Sequence, residues 1–90
     1  MIGFHYLDAG TLLLTVEDEH DLAVLLDLAQ ALGLLTGPTG AALPLDRAET
    51  ARHALHLAAS VYTDPLARRK ALALSLDLWR LQVLARSLAR

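Results

Sequence analysis

The sequence predicts an α+β protein, mostly helical, in which a short N-terminal β-hairpin is followed by three α-helices, the last one long and bifacial. Three observations predict this class. Apolar and other residues alternate over residues 2–16, as in a pair of half-buried strands. Apolar residues then recur at helical spacing along most of the chain. A Thr-Asp-Pro sequence at residues 63–65 separates the last two helical segments. At 90 residues, the chain is expected to form a single domain, residues 1–90.

The N-terminal hairpin is predicted over residues 2–16. Asp8, Ala9 and Gly10 form a turn signal, because Gly10 can adopt a positive φ without a side-chain clash. The apolar residues that alternate along the two strands are Ile2, Phe4, Tyr6, Leu12, Leu14 and Val16. Because a two-stranded ribbon is only marginally stable alone, it is expected to pack on the helices or to extend the sheet of a partner.

The first helix is predicted over residues 18–32. Acidic residues crowd its first turn, where carboxylates favour the positive end of the helix dipole, and Gly33 is suited to follow its last residue. Residues 33–45 contain three Gly and two Pro, and they are expected to form either a loop or a second short hairpin.

The second and third helices are predicted over residues 46–62 and 65–89. Asp46, with Glu49 three residues later, predicts a capping box at the start of the second helix. Asp64 is expected to cap the third helix, and Pro65 to occupy its first position, where no N–H is needed. Because the connection is so short, the two helices are expected to form a tight antiparallel or crossed pair.

Two apolar stripes run along the third helix, whereas an ordinary surface helix has one. The inner stripe, expected in the core, consists of Leu74, Leu78, Leu81, Ala85 and Leu88. The outer stripe, expected at an oligomer interface, consists of Leu72, Leu76, Trp79 and Val83. Trp79 is the only Trp in the chain, and Trp is enriched among the residues that dominate binding energies. The alternative for Trp79 is a place in the protein's own core.

Composition excludes several classes of protein. Apolar residues make up 54% of the chain, which excludes an intrinsically disordered protein. The absence of Cys excludes disulfide bonds, thiolate metal sites and a Cys nucleophile. The longest uncharged stretch, residues 28–45, contains five Gly and Pro residues and does not suit a membrane-spanning helix. The N-terminus lacks the pattern of a signal peptide, so we expect a cytoplasmic protein that does not contact a membrane.

Charge is divided unevenly between the two halves of the chain. Residues 1–45 carry six acidic residues and no Lys or Arg, whereas residues 46–90 carry eight Lys and Arg against four acidic residues. The acidic half is expected to pack against the basic half, within one chain or between two. The densest basic cluster, Arg68, Arg69 and Lys70, supports an alternative, because a helix–turn–helix protein presents basic residues of its second helix to DNA.

Few residues suggest catalysis or metal binding. Glu49, His53 and His56 project from one side of the second helix, and a carboxylate with two imidazoles is a ligand set for zinc or iron, although a solvated helix face is the simpler interpretation. The three Ser residues fall within predicted helices and lack the sequence context of a nucleophile. We therefore expect neither an enzyme nor a bound cofactor.

The sequence thus predicts a small intracellular protein–protein interaction module that forms a homo-oligomer, most simply a dimer, through the outer stripe. A different protein is a second possible partner. The main alternative is a dimeric DNA-binding regulator that uses Arg68, Arg69 and Lys70, and a metal-dependent enzyme around Glu49, His53 and His56 is a weaker one.

Overall fold

The computed structural model describes residues 2–37 and 40–88, and within this part the predicted α+β class is confirmed. A hairpin comes first and three helices follow, and residues 33–45 contain a second hairpin rather than a loop. The elements are β1 (Gly3–Asp8), β2 (Thr11–Thr15), α1 (Glu19–Leu32), β3 (Leu35–Gly37), β4 (Gly40–Pro44), α2 (Ala48–Val61) and α3 (Pro65–Leu88), with a 3₁₀ turn (Leu45–Arg47) before α2. The predicted end of the third helix at residue 89 lies outside the described residues.

The strands form one antiparallel sheet in the order β1-β2-β4-β3. Strand β1 pairs with β2 in the first hairpin, and β3 pairs with β4 in the second. The two hairpins are joined where β2 pairs with β4. In this seam Leu12 is opposite Leu43 and Leu14 is opposite Ala41, and all four side chains are buried. At the end of this seam, Gly40 allows β4 to approach β2 closely, because a Cβ at this position would overlap the carbonyl oxygen of Leu14.

The ends of α1 follow the sequence. The Asp18 carboxylate accepts a hydrogen bond of 2.9 Å from the backbone N–H of Asp21 and so caps the helix. Gly33 has a φ of 66°, the left-handed conformation that glycine tolerates best, and it ends the helix. The chain then turns directly into β3, with the N–H of Leu34 bonded to the carbonyl of Ala29.

The start of α2 differs from the predicted capping box. A 3₁₀ turn precedes the helix, and Asp46 lies within this turn instead of at the N-cap. The N-cap is Arg47, and it makes no side-chain capping bond. Arg47 instead donates to the carbonyl of Leu32 at the end of α1, and the N–H of Leu45 donates to the carbonyl of Gly10. These two long-range contacts hold the turn where a local cap was expected.

The turn between α2 and α3 has the predicted form. Pro65 is the first residue of α3, and the Asp64 carboxylate accepts a 3.0 Å hydrogen bond from the N–H of Leu66. The two helices pack side by side, and one hydrophobic core joins them to α1 and to the inner face of the sheet. None of the described helices is long and apolar enough to cross a membrane.

Candidate functional site

The two stripes of α3 lie in opposite environments. In the inner stripe Leu74 and Leu78 are at most 2% exposed, and Leu81 packs against the same core. The predicted core positions of Ala85 and Leu88 lie outside the described side chains. The four residues of the outer stripe are between 40% and 47% exposed, and they are Leu72, Leu76, Trp79 and Val83.

A groove of about 430 Å³ lies between the outer stripe and α2. Its apolar wall on α3 is formed by Leu72, Leu76 and Trp79. Its polar side is formed by Arg52, His56 and Ser75. A neighbouring depression shares His56 and Leu72 with the groove and extends it towards Arg68 and the turn between the helices.

A serine and a histidine meet at this groove. Ser75 is buried, and its Oγ lies 3.0 Å from Nε2 of His56. Such a pair can serve as a nucleophile and its base. Here, however, Ser75 lies in the middle of a helix, where the backbone N–H groups are bonded within the helix and cannot stabilise an oxyanion. The pair is therefore suited to binding rather than to acyl transfer.

Arg52 is the charged group of the groove. It is half-buried, and its Nη1 donates a 2.9 Å hydrogen bond to Oε1 of Gln82 on α3. Its Nε is buried and has no hydrogen-bond partner among the described residues. Among the described residues, the hydrogen-bond partner of the guanidinium is thus a neutral amide.

This groove was not predicted from the sequence, although the short turn between α2 and α3 indicates which residues of the two helices lie opposite each other. In two adjacent antiparallel helices, a residue farther from the turn on one helix contacts a residue farther from the turn on the other. Arg68 reaches Ala59, Ser75 reaches His56, and Gln82 reaches Arg52 at the far end. This order follows from the antiparallel pairing, but the distances between partners depend on how the helices cross.

Two members of the basic cluster are engaged within the chain. The Arg68 guanidinium donates to the carbonyls of Ala59 and Tyr62, at 3.1 and 2.9 Å, and so satisfies the end of α2. The Lys70 ammonium contacts Asp18 at 3.1 Å and Asp21 at 2.8 Å. These contacts leave Arg69 as the exposed basic side chain of the cluster without a hydrogen bond or ion pair to a described residue.

Lys70 and the two aspartates shift one another's pKa. The backbone N–H of Asp21 and then the Lys70 ammonium lower the pKa of Asp18. Burial alone would raise the pKa of Asp21, but hydrogen bonds from Lys70 and from the N–H of Glu17 bring this pKa below its usual value. The same two carboxylates raise the pKa of Lys70. All three groups are therefore charged near neutral pH.

Two further contacts join α1 to the region of the turn between α2 and α3. Nδ1 of His20 lies 2.7 Å from the Asp64 carboxylate, and the Tyr62 hydroxyl donates a 2.7 Å hydrogen bond to Asp27. The N–H of Leu66 and then His20 lower the pKa of Asp64. Burial and the Asp27 carboxylate raise the pKa of Tyr62. Lys70 and Tyr62 of the second half thus contact acidic residues of the first half, and His20 of the first half contacts Asp64 of the second, all within a single chain.

The weak metal candidate is not assembled in the described part of the chain. Glu49, His53 and His56 are exposed on α2, and His56 is hydrogen-bonded to Ser75. No group of three or more His, Asp or Glu side chains in residues 2–37 and 40–88 is placed to hold a metal ion.

The site thus consists of an exposed apolar stripe beside a groove that is lined by the half-buried Arg52. The chain matches no protein-family model, no curated protein and no solved structure.

Proposed function

We propose that this protein is a small cytoplasmic interaction module that self-associates through the outer stripe of α3, most simply as a dimer. One observation carries this proposal. Four apolar side chains on the same side of one helix, Leu72, Leu76, Trp79 and Val83, are each at least 40% exposed in the single chain.

An exposed apolar stripe of this kind favours a partner. Soluble monomers rarely leave large contiguous apolar patches in water, and such patches mark interaction sites. Trp79 lies within the stripe and is 46% exposed, so a partner would remove a large apolar area from water there. Buried Trp side chains are among the commonest residues that dominate binding energies.

A second copy of the chain is the partner that suits this stripe. The stripe itself contains no charged residue that an identical surface would repel, and the flanking Asp77 and Arg80 are paired with each other at 3.8 Å. A helix face that is apolar along its length can pack against an identical helix, with ridges in grooves. In a two-fold dimer each stripe would contact the other in the same way.

The alternative of a DNA-binding regulator is less well supported. It requires Arg68, Arg69 and Lys70 to neutralise phosphates, but Arg68 bonds to backbone carbonyls and Lys70 to two carboxylates. The exposed Arg69 would be the main remaining contact.

The proposal is tested by measuring molecular mass in solution over a range of micromolar concentrations. We expect a multiple of 9.7 kDa for the natural chain and a shift towards 9.7 kDa for Trp79→Ala. Leu57→Ala is the matched control, because Leu57 is an exposed apolar residue of α2 that does not line the groove. A mass of 9.7 kDa for the natural chain throughout this range would refute the proposal.

A further inference from the structure

We infer that the groove between α2 and α3 binds a small carboxylate that carries an apolar tail. The carboxylate would contact Arg52, and the tail would lie along Leu72, Leu76 and Trp79. This inference goes beyond self-association because it assigns a role to the polar side of the groove. The tail would use three residues of the outer stripe, so a ligand and a second copy would compete for them.

Three basic residues of the described chain are half-buried, namely Arg47, Arg52 and Lys70. Arg47 donates to the carbonyl of Leu32 at the end of a helix. Lys70 lies between two carboxylates. Among the described residues, Arg52 donates to the neutral amide of Gln82 and has no carboxylate partner. Arg52 is thus the member of this group whose charge is not compensated.

An anion would complete this environment. A guanidinium withdrawn from water and left without a counter-charge is unfavourable, and a carboxylate matches its planar set of N–H donors. The buried Nε of Arg52 also lacks a hydrogen-bond acceptor among the described residues. No acidic residue of the described chain lines the groove to compete for Arg52. Glu49, one turn earlier on α2, is exposed and forms no ion pair with it.

The neighbouring polar groups fit the same ligand. Ser75 and His56 share a 3.0 Å hydrogen bond at the groove, on the same side as Arg52. In this bond one of the two groups donates to the other, so the pair keeps one further N–H or O–H that can donate to a carboxylate oxygen. Together with the Arg52 guanidinium, the pair offers hydrogen-bond donors to a ligand, and no described residue that lines the groove carries a negative charge.

The opposite wall selects an apolar tail. Leu72, Leu76 and Trp79 form this wall, and each is between 42% and 47% exposed. The volume of about 430 Å³ lies within the range of small-ligand sites, roughly 300–1,000 Å³. The groove is open to solvent on one side, so it suits a short aliphatic or aromatic monocarboxylate rather than a fully enclosed cofactor.

The protein contains its own reporter for this test. Trp79 is the only Trp in the sequence and lines the groove, so ligand contact will change its fluorescence. The probe is octanoate, at concentrations below those at which it forms micelles. Octanol and octylammonium are the matched ligands, because they keep the tail and replace the charge. We expect a saturable change with octanoate and at least tenfold weaker binding of the other two.

Variants of two arginines test whether Arg52 is the residue that binds the carboxylate. Arg52→Gln should weaken octanoate binding about tenfold or more, because it removes a charge-assisted hydrogen bond. Arg69→Gln is the matched control and should bind as the natural chain does, since Arg69 is exposed and does not line the groove. Circular dichroism shows whether each variant is folded. A second variant, Arg52→Lys, keeps the charge and separates its effect from that of the altered side-chain shape. We expect Arg52→Lys to retain part of the affinity.

Three results would overturn the inference: equal binding of octanol or octylammonium, unchanged octanoate binding by folded Arg52→Gln, or no saturable change in the natural chain. Measuring the oligomer mass of the same samples distinguishes a loss of octanoate binding from a loss of self-association. If folded Arg52→Gln loses oligomer mass while the natural chain fails to bind octanoate, the counter-charge of Arg52 comes from another copy and the small-ligand site is refuted. A monomer that binds octanoate through Arg52 would refute only the proposed self-association.

Discussion

The inner and outer stripes of α3 are both apolar, yet one forms part of the core and the other meets water. Leu74 and Leu78 are buried in the core on the side of α3 that packs on α2 and α1, whereas Leu76 and Trp79, only a few residues away on the same helix, are nearly half exposed. Apolar content therefore does not decide which side of the helix is buried within one chain. The difference arises from which side the other elements cover.

The polar residues beside the two stripes differ as well. Lys70 lies towards α1, where it is neutralised by Asp18 and Asp21. Arg52 lies beside the outer stripe, where Gln82 is its hydrogen-bond partner among the described residues. Within the described part of the chain, the ammonium on the side towards α1 is therefore neutralised by carboxylates, and the guanidinium beside the outer stripe is not. We interpret both the apolar exposure and the uncompensated charge as signs that the outer side works with a ligand or a partner.

The largest effect is expected for the inner stripe. Leu74→Ala should lower the free energy of unfolding by about 2–5 kcal/mol, because it removes buried methyl and methylene groups and leaves a cavity. Chemical denaturation at a fixed protein concentration measures this change. A loss below about 1 kcal/mol would show that the inner stripe is not tightly packed.

Trp79→Ala should produce the opposite pattern. We expect it to weaken assembly more than Leu74→Ala does, while it changes the unfolding of the monomer by less, because Trp79 is half exposed there. Sedimentation at several concentrations measures assembly, and denaturation of dilute samples measures the fold. If both variants unfold alike and neither changes the oligomer mass, the roles assigned to the two stripes are wrong.

A smaller effect is expected from acid. The pKa values of Asp18 and Asp21 are lowered in the folded protein, so their contribution to stability is present above their unfolded pKa, near 4, and is lost as the pH falls through the folded values. The raised pKa of Lys70 has the opposite sign, and its contribution persists below about pH 10 and is lost at higher pH. Denaturation between about pH 2 and pH 6 should therefore show falling stability below about pH 4.

Lys70→Met is the control for this pH effect. It removes the ammonium and keeps an apolar stem of similar length, so the acid-dependent loss should become shallower. An unchanged slope in this variant would mean that other carboxylates cause the acid sensitivity.

The smallest effect is expected for the binding of duplex DNA. Because Arg68 and Lys70 are engaged within the chain, we expect no saturable binding of duplex DNA at about 0.15 M salt. Fluorescence titration at several salt concentrations tests this, since affinity that depends on phosphate contacts falls steeply with salt. Sub-micromolar binding that is abolished in Arg69→Ala would favour the regulator instead.

Most of the helix ends that could be predicted from the sequence are set by residues at those ends. Gly33 ends α1, and Asp64 with Pro65 begins α3, because each of these residues acts on the backbone beside it. The start of α2 shows the limit of such signals. Asp46 has the sequence of a cap, but Arg47 bonds to the carbonyl of Leu32, and a 3₁₀ turn takes the place of the capping box.

The candidate site could be predicted only in part. The spacing of Leu72, Leu76 and Trp79 along one helix is a local property, so the outer stripe could be identified from the sequence. The contacts of Arg52 with Gln82 and of His56 with Ser75 join residues 30 and 19 positions apart. They depend on the crossing of two helices, which neither helix encodes alone.

The seam between the two hairpins has a consequence for the order of folding. The α2 and α3 helices are neighbours in sequence and can associate early, because their contacts can begin at the short turn and extend outward from it. The pairing of β2 with β4 must close a much longer loop that contains α1 and β3. During synthesis the first hairpin therefore has to wait, with its inner edge unpaired, until residue 44 has left the ribosome. We expect the sheet, rather than the helices, to set the rate at which this small protein folds.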